Sequence, residues 1–184
     1  PEVVNVMGLE LVPIRVDRLS LIFGYVFHIA GFMAALFALK VENPIEHLAG
    51  MIYAGAAVAA AFSGDLISLF VYWELTALSS VFLIWAPKIE DYLHNQDNPE
   101  QCALNREASI HCGVRYLVIQ VASGVILLAG TMMYYQDTGS LLFNNFYEEG
   151  MSNASTVILW AFGIKAAFPF LHNWLQDAYP KATY

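Results

Sequence analysis

The sequence is poor in charged residues, and this shortage excludes an ordinary soluble domain. Charged residues make up 13% of the 184 residues and apolar residues make up 58%, whereas about 25% of a typical soluble domain is charged. A soluble domain of this length needs a charged surface that this chain lacks, so lipid is the expected solvent for the excess apolar side chains. The net charge of −8 also leaves no basic patch for nucleic acid.

Cysteine is scarce as well, which argues against a metal or cofactor site. The two cysteines, Cys102 and Cys112, lack the paired spacing and companion histidines of a zinc or iron–sulfur site. We expect ordinary thiols, no bound metal and no cofactor.

Apolar runs are what the sequence has in abundance. A transmembrane helix needs roughly 20 apolar residues to cross about 30 Å of hydrocarbon. The runs are longer than a membrane β-strand and show no alternation of polar and apolar residues, so they predict an all-α polytopic membrane protein. About five transmembrane helices are predicted within a single membrane domain 1–184, at 19–39, 47–63, 66–86, 113–135 and 155–175.

Charged residues cluster between these runs, and the clusters predict loops. Lysine and arginine favour the cytoplasmic side of a membrane. If the loops alternate, one side carries Arg15 and Arg18, and the other carries Lys40, Lys88, Arg106, Arg115 and Lys181. This bias places the loop 87–112 in the cytoplasm and the loop 136–154 outside.

Two opposite charges lie inside predicted transmembrane helices, Glu74 in 66–86 and Lys165 in 155–175. An ionisable side chain at that depth costs about 2.5 to 3.5 kcal/mol on insertion scales. Neither residue has an opposite charge three or four positions away on its own helix, so each needs a partner on another helix. We expect the two to form an ion pair, which serves either a proton path or the register of two helices.

Pro169 favours a functional role for this pair. A proline inside a helix has no N–H, frees the carbonyl four residues earlier, here that of Lys165, and kinks or breaks the helix. Transporters commonly place ion-binding groups at such interruptions. His172 lies seven residues beyond Lys165, roughly on the same helix face, and its titration range suits a proton relay.

Further polar residues define a candidate secondary path. His28 lies in the first predicted helix, and Tyr116, Gln120 and Ser123 form one stripe of the fourth. The stripe could support a water chain, and His28 could relay protons, but hydrogen bonding between helices is the preferred interpretation for both.

Three sequence motifs contain most of these residues. They are Asp65-Leu-Ile-Ser-Leu-Phe-Val-Tyr-Trp-Glu74, then Arg115-Tyr-Leu with Gln120 and Ser123-Gly124, then Gly163-Ile-Lys165-Ala-Ala-Phe-Pro169-Phe-Leu-His172-Asn-Trp174-Leu-Gln-Asp177-Ala178. Together they resemble the antiporter-like subunits shared by respiratory complex I and the multi-subunit Mrp cation/proton antiporters. The similarity runs from about Val16 to the last residue, and the run Lys165 to Thr183 looks closest to the D-type subunits of Mrp systems.

The resemblance implies roles for particular residues. It pairs a carboxylate in the Trp-Glu motif, here Glu74, with a lysine in a later broken helix, here Lys165. It also implies proton movement along a hydrated axis in mid-membrane, with His172 linking Lys165 onward. The family fold has about fourteen helices in two inverted repeats, so we expect this chain to be an N-terminal fragment of such a protein.

The implied function is that of a proton-translocating subunit of a multi-subunit cation/proton antiporter, similar to the Mrp D-type subunits. It would be a multi-pass protein of the bacterial inner membrane without enzymatic activity, and its partners would be other membrane subunits, protons and Na⁺ or another monovalent cation. Alternatives are a proton-pumping subunit of complex I-type NADH-quinone oxidoreductase or membrane-bound hydrogenase, and a structural scaffold without transport. A quinone-binding redox subunit is a further alternative, suggested by Trp73, Trp85, Trp160 and Trp174.

Overall fold

The computed structural model describes residues 3–6, 8–94, 99–143 and 152–182, with the side chains of 87–94, 99 and 181 left undescribed. Almost all of the regular structure in these residues is helical. In chain order the elements are β1 (Val4–Val6), β2 (Leu9–Leu11), α1 (Arg18–Phe37), α2 (Pro44–Phe62), α3 (Leu66–His94), α4 (Pro99–Thr138), α5 (Asn153–Lys165) and α6 (Asn173–Ala178). Strands β1 and β2 form a short antiparallel hairpin that the apolar pattern does not predict.

Four helices of the described chain are long and apolar enough to span a membrane. They are Arg18–Lys40, Pro44–Phe62, Leu66–Ala86 and Glu100–Thr138. The expected all-α, polytopic membrane fold is therefore confirmed. The fifth predicted run differs, because the chain divides it into α5 and α6, and α5 alone has 13 residues, fewer than the roughly 20 that span a bilayer.

The prediction of a loop over 87–112 was wrong for the part that the structure describes. Helix α3 continues to His94 and α4 begins at Pro99, so only residues 95–98 lie outside the described chain there. Helix α4 has 40 residues, which at 1.5 Å per residue makes it about 60 Å long, twice the thickness of the hydrocarbon. Its charged N-terminal turns therefore belong to a helix that projects into water.

On the opposite side, α4 extends to Thr138, three residues into the predicted loop 136–154. Helix α5 begins at Asn153 at the far end of that loop. Residues 144–151 lie outside the described chain. The segment that follows α4 and the start of α5 thus share one side of the bundle with the start of α1.

Local hydrogen bonds explain where three helices begin. Asp17 caps α1 by accepting from the Ser20 backbone N–H at 2.8 Å, and the Ser20 hydroxyl accepts from the Asp17 backbone N–H. Asn43 caps α2 through its side-chain oxygen, which accepts from the Ile45 backbone N–H at 2.9 Å, and Pro44 occupies the first turn, where the missing N–H costs nothing. Ser152 accepts from the Ser155 N–H at the start of α5.

The helices pack in sequence order, with α1 on α2, α2 on α3, α3 on α4, and α4 on both α5 and α6. The main core lies between α3, α4 and α5. Its buried members are Leu66, Leu69, Trp73, Leu127, Tyr134, Ala154, Ile158 and Ala161. Only 6% of the apolar window of α1 is buried within the chain. The protein interior available for a polar site is therefore the α3–α4–α5 region.

A buried aspartate joins three segments at the end of the bundle where α3 begins. The Asp65 side chain, fully buried, accepts from the backbone N–H groups of Val12 and Ser68 and from the Ser68 hydroxyl, each at 2.7 Å. The Leu66 N–H donates to the carbonyl of Leu141 beyond α4. The Arg15 guanidinium reaches the same segment and donates to the Phe143 carbonyl at 3.1 Å.

Candidate functional site

Lys165 is the last residue of α5, and its side chain points at α3. The ammonium Nζ donates to the backbone carbonyl of Trp73 at 3.0 Å and lies 4.7 Å from the centroid of the Trp73 ring. A carbonyl and an aromatic face both attract a cation, and the attraction strengthens when water is excluded. Trp73 is 6% exposed. The lysine is therefore held by the residue that precedes Glu74.

Helix α5 ends at Lys165 because its backbone turns into a left-handed conformation. Ala167 has φ 53°, and its N–H donates to the Ile164 carbonyl while the Phe168 N–H donates to the Gly163 carbonyl. These two bonds define a Schellman motif, which satisfies carbonyls that the end of a helix would leave free. Backbone hydrogen bonds thus satisfy the carbonyls of Gly163 and Ile164 at the end of α5, and Pro169 follows just after this turn.

Two side chains beyond the break also contact the last turn of α5. The Trp174 indole N–H of α6 donates to the Ile164 carbonyl at 3.1 Å, and the Phe168 ring covers Gly163 closely enough that a Cβ there would lie 2.9 Å from it. Helix α6 is fixed to α4 by the Cys112 thiol, which donates to the Asp177 carbonyl, and by an Arg115–Asp177 ion pair at 2.6 Å. These contacts connect the end of α5 and α6 to α4.

Glu74 lies on α3 beside Lys165 but makes no direct ion pair with it. Among the described residues, no nitrogen–oxygen contact of 4.0 Å or less joins the two side chains, although they are close enough to interact electrostatically. The expected direct pair is therefore absent, and the ammonium donates instead to the carbonyl of Trp73. The glutamate oxygen Oε1 is buried and has no hydrogen-bond partner in the described chain.

The predicted stripe on α4 faces α3 near these charges. Gln120 is 1% exposed, and its Oε1 is a second buried oxygen without a partner in the described part of the chain. The Ser123 hydroxyl donates to the Gln120 carbonyl at 2.6 Å and accepts from the Trp73 indole at 3.3 Å. Tyr116 shares a hydrogen bond of 2.7 Å with Ser80 of α3. The site thus continues along the α3–α4 interface.

Of the two predicted histidines, His28 lies apart from this cluster, and His172 does not continue the helix face of Lys165. His28 is on the exposed side of α1, and its Nδ1 lies 2.7 Å from the Gly24 carbonyl of the same helix. His172 is half-buried just before α6. The expectation that it continues the Lys165 face was wrong, because the helix is interrupted between the two residues.

Trp73 is the site residue that sequence reasoning does not single out as a partner. It contributes its carbonyl and ring to Lys165, its indole N–H to Ser123, and an edge contact to Phe162 with centroids 5.0 Å apart. The available signal is its position next to a membrane-embedded glutamate. A tryptophan there is equally consistent with a packing residue, so only the fold reveals its contacts.

The cluster contains groups that can bind and release protons. It combines one carboxyl group, one ammonium group and several neutral hydrogen-bonding groups inside a helical bundle. No set of three or more His, Cys, Asp or Glu residues in the described chain could hold a metal ion. Lys165 and Glu74 are the groups here that gain or lose a charge when a proton moves.

Comparison with known proteins shows what the chain is similar to. Residues 100–184 match the family model described as NADH:quinone oxidoreductase/Mrp antiporter, transmembrane. The resemblance to the antiporter-like family is confirmed. The matched range contains α4, the break and Lys165, whereas Glu74 lies before it.

Individual relatives align with most of the chain. The A-type subunit of the Na(+)/H(+) antiporter of Alkalihalophilus pseudofirmus is 29% identical over an alignment 187 positions long, which covers 91% of this chain and 21% of the relative. The A1-type subunit of a Na(+)/H(+) antiporter of Staphylococcus aureus is 26% identical over an alignment 183 positions long, which covers 91% of this chain and 20% of the relative. The chain thus spans about a fifth of the length of the curated relatives it matches.

Proposed function

We propose that this chain forms part of the membrane domain of a proton-translocating subunit in a multi-subunit cation/proton antiporter. The observation that carries the proposal is Lys165, a cation at the end of an interrupted helix, held against α3 beside Glu74. The subunit lies in the bacterial plasma membrane with other membrane subunits. Its substrates are protons and Na⁺ or another monovalent cation, and it performs no enzymatic reaction.

In the proposed mechanism Lys165 alternately holds and releases a proton. The protonated amine donates to the Trp73 carbonyl and faces the Trp73 ring, and both contacts stabilise the ammonium. The neutral amine loses the attraction to the ring and to Glu74. Protonation is therefore coupled to the position of the side chain, and a conformational change that separates Lys165 from α3 favours proton release.

Protons reach and leave Lys165 along polar groups of α3, α4 and the break. His172 is the proposed onward group on the α6 side, because it lies in the same interruption as Pro169. The α3–α4 interface supplies the secondary path through Gln120, Ser123 and Tyr116. His28 has no part in this path, since α1 packs on α2 and the imidazole lies on the exposed side.

The relatives bear on which member of the assembly this chain belongs to. The run from Lys165 to Thr183 resembles the D-type subunits, whereas the relatives that align with nearly the whole chain are of the A or A1 type. A proton-pumping subunit of an NADH:quinone oxidoreductase is the second candidate function, because the matched family model covers both groups of proteins. Both candidates use the same Glu74–Lys165 site.

The test is cation-dependent proton movement in vesicles that contain the complete assembly. We expect Lys165→Ala and Glu74→Gln to abolish most transport, since each removes one titrating group of the proposed path. Matched controls are Lys40→Ala and Glu107→Gln, which remove the same charges from exposed positions outside the proposed site.

The amount of assembled complex must be equal in all variants. Normal transport in both site variants would contradict the proposal and favour a scaffold in which Glu74 and Lys165 only hold helices together. Proton movement that depends on NADH oxidation instead of a cation gradient would favour the oxidoreductase candidate.

A further inference from the structure

The surroundings of the Glu74 carboxyl group are defined by a glycine on α4. A Cβ placed on Gly124 would overlap with Glu74 Oε1 and would approach the ring of Phe70 to 3.5 Å. Gly124 is itself buried. The carboxyl oxygen therefore occupies the space that any other residue at position 124 would fill with its side chain.

The same oxygen has no hydrogen-bond donor in the described chain and is closed off from solvent. A buried polar atom without a partner is costly, so the surrounding packing must hold it in place. The other feature of this arrangement is that Glu74 makes no ion pair with Lys165 within 4.0 Å. One geometry accounts for both facts, because an oxygen seated against α4 is kept away from the ammonium at the end of α5.

We infer that Gly124 is a positioning residue for Glu74, whose missing side chain opens a niche that seats the carboxyl oxygen against α4 and apart from Lys165. The inference deepens the proposed function, on which its consequence for transport rests. In that mechanism the niche sets the distance between the two titrating groups. A side chain at position 124 would drive the carboxyl group out of the niche.

The geometry itself is tested by chemical labelling of Glu74 in the complete assembly in membranes. Dicyclohexylcarbodiimide is an apolar reagent that attaches to carboxyl groups in a membrane, and mass spectrometry of the peptide that contains Glu74 measures the rate. We expect Gly124→Ala to raise this rate several-fold, because the displaced oxygen is no longer shielded. The control is Gly55→Ala on α2, where an added Cβ meets nothing within 4 Å.

A rate in Gly124→Ala that equals or falls below that of the parent, or an equal rise in Gly55→Ala, would overturn the inference. Labelling requires no transport, so this result is independent of the proposed function. If Glu74→Gln transports normally while Gly124→Ala still changes the labelling, the niche stands and the proton-path proposal fails.

The consequence for transport is tested with a shorter acid. Gly124→Ala alone should slow proton movement about tenfold or more, as small misplacements of reacting groups do. Glu74→Asp shortens the side chain by one methylene and leaves room for the added Cβ. In the Glu74→Asp background Gly124→Ala should therefore cause little further loss, whereas a loss equal to that in the parent would show that Gly124 acts independently of Glu74.

Discussion

Glu74 and Lys165 lie close together, but Glu74 belongs to the continuous helix α3 and Lys165 to the end of α5, where the chain is interrupted before α6. In α3 the helix is continuous, so the backbone around Glu74 is satisfied while the carboxyl oxygen is not. In α5 the helix stops at Lys165, whose ammonium donates to a carbonyl of α3. The carbonyls at the end of α5 accept hydrogen bonds from the turn and from Trp174. The continuous helix α3 thus carries a carboxyl oxygen without a hydrogen-bond partner in the described chain, whereas the interrupted helix α5 ends in an ammonium group that donates to α3.

The largest effect on this arrangement should come from removing Trp73, which belongs to α3 and contacts α5. Trp73→Ala deletes the ring beside Lys165, the edge contact with Phe162 and the bond to Ser123. Such truncations in packed interiors cost about 3–5 kcal/mol. We expect a strongly lowered free energy of unfolding for the purified assembly, measured by denaturant titration.

The control for this substitution is Trp160→Ala on α5. Its side chain is 58% exposed on the surface of the chain, so it should lose much less than Trp73→Ala. Equal losses in the two variants would show that Trp73 does not join α3 to the broken helix.

A smaller effect is expected where α6 closes the end of α5. Trp174→Phe retains an aromatic ring against Tyr116, at present 5.5 Å away between centroids, but removes the N–H that donates to Ile164. Loss of one such bond costs about 0.5–1.5 kcal/mol. Hydrogen exchange of the amides at 162–168 should speed up, while exchange in the middle of α3 stays the same. Uniform changes in both regions would contradict a local cap.

A glycine at position 167 should raise the stability of the protein instead of lowering it. Ala167 adopts φ 53°, a conformation that costs an L-residue about 1 kcal/mol or more and a glycine almost nothing. Ala167→Gly should therefore stabilise the break by up to about 1 kcal/mol, seen as a higher unfolding midpoint. The control is Ala166→Gly, since Ala166 has φ −80° and gains no such relief. A stabilisation of similar size in both variants would contradict the assignment.

The smallest effect concerns a helix end at the membrane surface. The Ser20 backbone N–H lowers the pKa of Asp17 below its ordinary value of 3.8. The cap therefore stabilises α1 above pH 3.8, and its contribution disappears as the pH falls through the lowered pKa of the folded state. The end of α5 is closed by backbone groups and an indole, which do not titrate there. The protection of the amides at 18–21 against hydrogen exchange, measured relative to their intrinsic rates at each pH, should fall at low pH in the parent but not in Asp17→Asn. Protection at 162–168 should show no such difference.

The sequence predicts the continuous helices better than it predicts their ends. Apolar runs define α1, α2 and the membrane part of α3, because lipid requires every residue of a span to be compatible with hydrocarbon. The charged segment of α4 from Glu100 to Arg115 has the composition of a loop, because charge indicates contact with water but does not distinguish a loop from a helix that extends beyond the membrane. The hairpin of β1 and β2 is not predicted either, because strands of three residues each are too short to show a periodic pattern.

Sequence reasoning brings Glu74 and Lys165 to one region but cannot give their contacts. Opposite charges in a low dielectric need compensation, which makes their proximity predictable. The partner that the lysine selects is the Trp73 carbonyl, a group that every residue possesses and that no side-chain pattern reveals. The position of His172 also depends on how the chain turns at Ala167 and Phe170, both with positive φ, and this turn removes the seven-residue relation to Lys165.

The Arg15 bond to the Phe143 carbonyl joins groups 128 positions apart in the sequence. At about 5 to 20 residues per second, a ribosome takes roughly 6 to 26 seconds to make the intervening chain. Phe143 is made only after α1, α2, α3 and α4, all of which precede it in the chain. The hydrogen bonds that join the end of the bundle around Asp65 to residues 141 and 143 can therefore form only after α4 has been synthesised.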